Sequence, residues 1–272
     1  MVGLIKADFK KLFKGKTLLV CSIIAVGFGA LMAYIMDMSL DMFYSSDVMQ
    51  SIDMASSMMG EDIGFEILGI PQNNLWSMVN YLFTDSDVGI LTAICICVFI
   101  TSEYSMGTFK NSVSRGFSRT EIYISKFIVS VVSAIIIILL FVIGGTVVAF
   151  ICTPIEAEVN AVQMIAMILT YLLLASASAS MYLMFAMMFR RTGVSVAASI
   201  CMIVFVSSIF QVLEVFVENL SDYSKFWILN TFTIVEQSCL DGKIYIPVLI
   251  GLGYIFVTSA IGMLMFKKRE IK

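Results

Sequence analysis

Long runs of apolar residues, separated by shorter polar segments, form the dominant pattern along the chain. A helix needs about 20 mostly apolar residues to cross the hydrocarbon core of a bilayer. Six runs meet this requirement once their ends extend into the neighbouring polar residues. They predict membrane spans at about residues 17–36, 82–102, 127–151, 161–189, 194–217 and 246–266. The pattern therefore predicts an all-α integral membrane protein, with residues 1–272 forming a single transmembrane domain.

The second span is the least regular, because its uninterrupted apolar run extends only over residues 88–101. To reach the length of a crossing, the helix must continue outward through Asp87 and Asp85 or inward through Glu103. Asp85 and Asp87 then either line an external vestibule or lie at the level of the lipid headgroups.

The outer end of the fifth span carries two acids, Glu214 and Glu218, one helical turn apart. These are either ordinary surface acids or part of an exit rim for a transported molecule. Together with Asp85 and Asp87, they make up the candidate external pathway.

The polar segments between the spans have patterns of their own. Residues 4–13 place apolar and lysine side chains at helical spacing, which is typical of an amphipathic helix lying in the membrane interface. The acidic segment 37–81 has Met and Ile at helical intervals and predicts a small helical insertion outside the cell, which packs on the spans or contacts apolar cargo. Residues 226–235 are too few to cross but too apolar for a solvated loop, so they predict a hairpin in the outer leaflet between spans five and six.

Composition and charge agree with a membrane protein whose two sides differ. Hydrophobic residues make up 60% of the chain and charged residues 14%, which excludes a soluble globule. If both termini lie in the cytoplasm, all of the 17 Lys and Arg residues except Lys225 and Lys243 fall on the inner side. This asymmetry is the positive-inside pattern, so we expect a plasma-membrane protein with cytoplasmic termini.

Residues 103–126, which we call the central segment, form a polar and basic island between the second and third spans. Thr108 can cap a short helix there, and Gly116 suits the left-handed residue that ends it. Ser118 and Glu121 form an S-x-x-E capping box that begins the next helix. The central segment therefore predicts a structured helix-turn-helix, although a solvated loop whose positive charges only fix the topology is the alternative.

The sequence contains no recognisable catalytic or nucleotide-binding motif. It has no histidine, which removes the usual general base near neutral pH and the commonest transition-metal ligand. Residues 15–17 read Gly-Lys-Thr, like the end of a phosphate-binding loop, but the first glycine of that motif is absent. Cys95 and Cys97 have a spacing that does not suit a zinc site. We therefore expect no catalysis and no bound metal or cofactor in this chain.

The central segment resembles the signature of a transporter family, the permease subunits of type-2 ATP-binding-cassette (ABC-2) exporters. That signature reads E-Y-x-x-G-T-x-K, then G-x-S-R, then K, and it is matched here at Glu103-Tyr104, Gly107-Thr108, Lys110, Gly116, Ser118-Arg119 and Lys126. The resemblance extends in outline over the whole chain, from the interfacial helix through six spans to the outer hairpin. The long acidic segment after the first span departs from the simplest members of the family.

The resemblance implies two permease subunits, either identical or related, each joined to a cytoplasmic ATPase that holds ATP and Mg²⁺. The helix of the central segment would lie in a cleft of the ATPase, and closure of the ATPases would open a path between the permeases. Arg115 and Arg119 would pair with acids on the ATPase, and Phe109 or Phe117 would fill an apolar pocket there. The full set of expected ATPase-coupling residues is Glu103, Gly107, Thr108, Phe109, Lys110, Arg115, Gly116, Phe117 and Arg119.

The resemblance to bacteriocin and antimicrobial-peptide exporters implies that the cargo is an amphiphilic peptide or a similar apolar molecule leaving a bacterial cell. No acid or base is apparent deep within a predicted span, which disfavours the alternative of a secondary transporter driven by an ion gradient. A membrane subunit that senses or supports but moves nothing is the other alternative. Membrane lipid is an expected partner, and nucleic acid is not.

Overall fold

The computed structural model describes residues 1–43, 75–84, 86–152, 161–216 and 223–268. These ranges are helical apart from short turns, and no strand occurs within them. Six helices are long and apolar enough to cross a membrane, at Lys16–Ser39, Val88–Ser105, Arg119–Ile151, Val162–Phe189, Thr192–Phe210 and Tyr245–Lys268. The prediction of an all-α protein with six helices able to span a membrane is therefore confirmed.

The α-helices of the described ranges are numbered here in chain order. They are α1 Val2–Lys14, α2 Lys16–Phe43, α3 Leu75–Thr84, α4 Ser86–Ser105, α5 Thr108–Ser114, α6 Arg119–Cys152, α7 Ala161–Phe189, α8 Thr192–Cys201, α9 Ser207–Phe216, α10 Ile228–Thr233, α11 Val235–Leu240 and α12 Tyr245–Lys268. A π-helical turn at Met202–Val206 joins α8 to α9, so the two form one continuous helix with a local widening.

Several helices extend beyond the predicted spans. The third apolar helix begins at Arg119 rather than near residue 127, because a capping box starts it within the polar segment. The second continues past Glu103, so the inward extension considered from the sequence occurs. The helical insertion expected after the first span lies mostly outside the described residues, between Phe43 and Leu75.

Helix α7 forms the centre of the bundle and packs against α4, α6, α8 and α12. Ala175, Ala177 and Ala179 are completely buried on it, and such small side chains let neighbouring helices come close in a membrane protein. The hydroxyls of Ser180 on α7 and Thr258 on α12 are hydrogen-bonded at 2.5 Å. The fourth and sixth spans are thus joined by small residues and a polar contact.

Glycines allow α2 and α6 to approach each other closely. A Cβ atom added to Gly29 on α2 would lie 2.1 Å from the carbonyl oxygen of Phe141 on α6. A Cβ atom added to Gly144 on α6 would lie 2.6 Å from the carbonyl oxygen of Val26 on α2. Both distances are far below van der Waals contact, so these two backbones can touch only where the side chain is absent.

Contacts between distant segments bring basic residues together at one end of the bundle. Arg119 Nη1, at the start of α6, donates a hydrogen bond to the carbonyl oxygen of Lys267 at 2.7 Å. The guanidinium of Arg190, which follows α7, lies 5.3 Å from the centre of the Tyr104 ring. Helix α1 packs against α6 at the same end. We call this the basic end, comprising α1, residues 105–119, the turn at 190–191 and the last turn of α12.

Helices α10 and α11 form a short hairpin at the opposite end, and α11 extends to Leu240, beyond the residues 226–235 at which the sequence predicts a hairpin. Trp227 and Phe232 of this hairpin are buried. Trp227 Nε1 donates a hydrogen bond to Ser207 Oγ at 3.1 Å, and Tyr254 Oη donates one to the carbonyl oxygen of Phe226 at 3.1 Å. The hairpin is thereby held against α9 and α12.

Candidate functional site

The central segment folds as a helix-turn-helix, as predicted. Gly107 has φ of 64° and Gly116 has φ of 88°, which is the left-handed region that favours glycine. The backbone N–H of Ser118 donates to Glu121 Oε2 at 2.9 Å, and the N–H of Glu121 donates to Ser118 Oγ at 3.3 Å. The predicted capping box is therefore formed, and it satisfies the backbone amides of Ser118 and Glu121 at the start of α6.

The role predicted for Thr108 as a helix cap is wrong. Gly107 occupies the cap position of α5, because its left-handed conformation reverses the chain one residue earlier than expected. Thr108 is already helical, and its hydroxyl donates a hydrogen bond to the carbonyl oxygen of Glu103 at 3.0 Å. Its side chain thus ties α5 to the end of α4.

The structure also corrects the assignment of Phe109 to a pocket on a partner. The side chain is only 2% exposed. Its ring stacks on Tyr104 with 4.2 Å between ring centres and meets Phe266 edge-on at 5.7 Å. Phe109 is buried because α5 lies across the ends of α4 and α12, so it fastens the central segment to its own chain.

The outward face of the central segment consists of other residues. Met106 is 65% exposed and Val113 is 37% exposed. Lys110 and Arg115 are exposed beside them, and Phe117 is half-buried. These side chains, rather than Phe109, are available to contact another protein.

A cluster of four charged residues lies immediately behind this face. Lys126 Nζ is 2.7 Å from Asp8 Oδ1 and also forms an ion pair with Glu103 Oε2. Lys11 Nζ lies 3.3 Å from Glu103 Oε1 and 3.9 Å from Asp8 Oδ1. Ser125 Oγ donates a hydrogen bond to Asp8 Oδ2 at 2.6 Å. We call Asp8, Lys11, Glu103 and Lys126 the ion-pair cluster.

The ion-pair cluster is balanced in charge and largely shielded from solvent. Asp8, Glu103 and Lys126 are each no more than 3% exposed, whereas the side chain of Lys11 is 45% exposed. Lys126 Nζ also lies 5.6 Å from the centre of the Phe99 ring and 5.7 Å from that of Phe109. Removing one member of a buried ion pair costs about 3–5 kcal/mol, because the remaining charge stays desolvated without a partner.

The ion-pair cluster joins three helices that are distant in sequence. Glu103 and Lys126 are the first and last residues of the central segment, so the segment is fixed at both of its ends. Asp8 attaches both ends to α1. Sequence reasoning missed Asp8, although a signal was present, because Leu4, Asp8 and Leu12 recur every four residues and all three are buried. An acid in the middle of a buried helix face indicates a buried basic partner.

Two arginines of the basic end, Arg119 and Arg190, also make contacts within the chain. Arg119 Nη1 donates to the carbonyl oxygens of Phe266 at 3.4 Å and Lys267 at 2.7 Å, which satisfies acceptors at the end of α12. Arg190 has φ of 57°, and its guanidinium covers the Tyr104 ring. The Tyr104 hydroxyl contacts Met187 Sδ at 3.0 Å. The turn after α7 therefore meets the central segment through Tyr104.

The candidate external pathway lies at the edge of the described ranges. Asp85 and Glu218 fall outside the described residues. Asp87 belongs to α4 and Glu214 to α9, and the description of both is limited to the backbone. At this end of the bundle, Asn80 Nδ2 donates a hydrogen bond to Glu236 Oε2 of α11, and Asn80 Oδ1 accepts one from the Tyr171 hydroxyl. The sequence did not predict this network.

In the described ranges, no three His, Cys, Asp or Glu side chains come close enough to hold a metal ion. A protein-family model described as "Protein of unknown function (DUF2705)" matches residues 30–272. No curated protein matches the sequence.

Proposed function

The chain belongs to the DUF2705 family, whose function is unknown, and we propose that it is the permease subunit of an ATP-driven exporter of the ABC-2 type. The observation that supports this most strongly is the construction of the central segment. It is a compact helix-turn-helix whose two ends are fixed by buried ion pairs, while its outer face presents exposed side chains to solvent.

A segment that transmits force must not absorb it by bending. The capping box and the buried Phe109 ring each remove freedom from the central segment. The ion-pair cluster then connects the segment to α1 and to the ends of the second and third spans. Displacement of α5 by a partner would therefore move these helices together, which is what coupling to an ATPase requires.

The exposed face offers the contact for the ATPase subunit. Met106 and Val113 supply apolar side chains, and Lys110 and Arg115 supply positive charge beside them. A mixed surface of this kind suits a cleft with an apolar floor and acidic walls. We place this face, both termini and the whole basic end in the cytoplasm of a bacterial cell, in accordance with the positive-inside pattern.

ATP and Mg²⁺ would be bound by the ATPase, and this chain would supply no catalytic residue. A second permease, identical or related, would complete the path for an amphiphilic peptide or a similar apolar cargo. The large apolar surfaces of the outer helices leave room for both lipid and a second permease. Ile23 on α2, Phe205 in the fifth span and Phe256 on α12 are among the exposed side chains.

The alternative of ion-coupled transport needs titratable groups along a path through the membrane. Two charged residues of the described spans, Glu103 and Lys126, are buried. Both lie next to the basic end and are paired with each other, and Lys126 is also paired with Asp8 of α1. They therefore connect the spans to α1 and do not form a path for ions across the bilayer.

The proposal is tested by expressing the chain with a candidate ATP-binding-cassette ATPase of the same organism and reconstituting the purified complex in liposomes. We expect the two proteins to co-purify, and ATP hydrolysis to rise when an amphiphilic peptide is added. Lys110→Glu combined with Arg115→Glu should abolish co-purification, because it reverses the charge of the outward face. Lys10→Glu, which changes an exposed lysine on α1 instead, should not.

Several results would overturn the proposal. Peptide transport by the chain alone, driven by a proton or sodium gradient, would support the secondary transporter. If the variant with both Lys110→Glu and Arg115→Glu co-purified normally with the ATPase, the central segment would not be part of the interface between the two proteins. A stable complex without any transport would favour a sensory or structural subunit.

A further inference from the structure

A small cavity lies where α3, α4 and α7 meet the outer hairpin. Phe83, Leu229 and Phe232 contribute apolar walls, and Thr92, Ser178 and Tyr182 contribute hydroxyl groups. The volume of the cavity, taken as the space open to the centre of a water molecule, is about 20 Å³. A buried water needs roughly 10–15 Å³ by this measure, so the cavity accommodates one or two molecules.

The Tyr182 hydroxyl adjoins this cavity and lies close to the hydroxyls of Ser178 and Thr92. The side chain is completely buried, and its Oη makes no hydrogen bond of normal geometry to any described residue. A Cβ atom added to Gly89, which lines the cavity, would lie 3.4 Å from this oxygen. Because Gly89 belongs to α4, the hydroxyl faces the gap between α4 and its own helix, α7.

The neighbouring hydroxyls have acceptor capacity to spare. Thr92 Oγ1 donates its proton to the carbonyl oxygen of Gly89 at 2.8 Å, and Ser178 Oγ donates its proton to that of Ala175 at 2.9 Å. Their oxygen lone pairs can therefore accept hydrogen bonds from a molecule in the cavity. Tyr182 can donate to the same molecule, which would then have partners on both helices.

From this arrangement we propose that the cavity is a binding site for internal water, which bridges Tyr182 on α7 to Thr92 on α4 beneath the outer hairpin. A buried hydroxyl without a hydrogen-bond partner destabilises the folded protein, and a bridging water removes that penalty. A charged ligand has no counterpart in the lining, and a benzene-sized molecule needs a cavity of about 150 Å³. This assignment is independent of the transport function proposed above.

Hydroxyl-radical labelling of the purified chain in ¹⁸O water tests the proposal directly, because radicals formed at a bound water attack the side chains next to it. Tyr171 is the matched control, since it is equally buried on the same helix but its hydroxyl is bonded to Asn80. We expect Tyr182 to take up ¹⁸O several-fold faster than Tyr171. Equally slow labelling of the two tyrosines would overturn the proposal.

Two variants test the site in other ways. Gly89→Ala places a methyl group in the cavity at ordinary contact distance from Tyr182 Oη, so it should reduce labelling of Tyr182 to the rate of Tyr171. Tyr182→Phe should lower the melting temperature, because it removes a bridged hydroxyl. An increase in melting temperature would show that the hydroxyl was unsatisfied and the cavity dry.

Discussion

Asp8 and Lys126 are 118 residues apart in the sequence, and their side chains meet in the interior with 2.7 Å between Oδ1 and Nζ. Asp8 belongs to the first helix, and Lys126 lies near the start of α6. Lys126 also pairs with Glu103 at the end of the second span, so one ammonium group connects three parts of the chain. This connection fixes the central segment in addition to the packing of Phe109, which belongs to its short helix.

We expect Lys126→Met to lower the free energy of unfolding by about 3–5 kcal/mol, because Asp8 and Glu103 would stay buried with fewer partners. Lys10→Met is the matched control, since Lys10 is an exposed lysine on α1. Its effect should stay within about 0.5 kcal/mol. Both values can be measured by chemical denaturation of the purified protein in detergent, followed by tryptophan fluorescence.

A double-mutant cycle separates the ion pair from the packing of the lysine chain. Asp8→Asn should be destabilising alone but should add little to Lys126→Met, because either change breaks the same contact. Strictly additive effects would show that Asp8 and Lys126 stabilise the protein independently of each other.

The fold could be predicted from the sequence as far as local patterns determine it. Runs of about 20 apolar residues indicate membrane-spanning helices whatever their arrangement, so six such helices were predicted. The capping box at Ser118 and the left-handed Gly116 depend only on neighbouring residues, and both were predicted correctly. The one-residue error at Thr108 arose because Gly107 was not recognised as the residue that reverses the chain.

The candidate site was less predictable, because its contacts join distant residues. The exposed or buried state of Phe109 depends on Phe266, which lies at the other end of the sequence. The buried face of α1 includes Asp8 instead of Phe13, which is 61% exposed. An amphipathic pattern alone does not distinguish a helix face that meets lipid from one that meets protein.

The burial of Phe109 predicts that Phe109→Ala destabilises the protein by about 3–5 kcal/mol, as expected for truncation of a core aromatic. Met106→Ala alters an exposed apolar side chain of the same segment and should change stability by less than about 0.5 kcal/mol. Thermal unfolding of the two variants, measured by fluorescence-detected size-exclusion chromatography, tests the contrast. Similar melting temperatures for both variants would mean that Phe109 is not packed on Tyr104 and Phe266.

The capping box makes a prediction about local order. Ser118→Ala removes the acceptor for the Glu121 amide and should cost about 1 kcal/mol, with faster hydrogen exchange in the first turn of α6. Ser114→Ala is the comparison, because Ser114 is exposed and its hydroxyl bonds only within α5. Exchange of the α6 amides should be unchanged in that variant. Equal protection of these amides in both variants would contradict the role of the box.

Two glycines on α2 provide the sharpest test of how the first span packs. Gly27 and Gly29 lie on the same helix, but a Cβ atom at Gly27 meets nothing within 4 Å. Gly27→Ala should therefore be neutral or stabilise the protein by up to about 1 kcal/mol, through the higher helix propensity of alanine. Gly29→Ala forces a methyl group against the backbone carbonyl of Phe141, which cannot move aside as a side chain can.

We expect Gly29→Ala to separate α2 from α6 and to lower stability by about 1–3 kcal/mol, the usual cost of overpacking. Moving α2 away from α6 would also displace α1, because α1 is connected to α2 through Gly15. The ion pair between Asp8 of α1 and Lys126 of α6 would then be weakened. The variant should therefore also expose Lys126, which acylation of lysines followed by mass spectrometry can detect. A Gly29→Ala protein as stable as Gly27→Ala, with Lys126 still protected, would show that the close approach of the two helices does not support the ion-pair cluster.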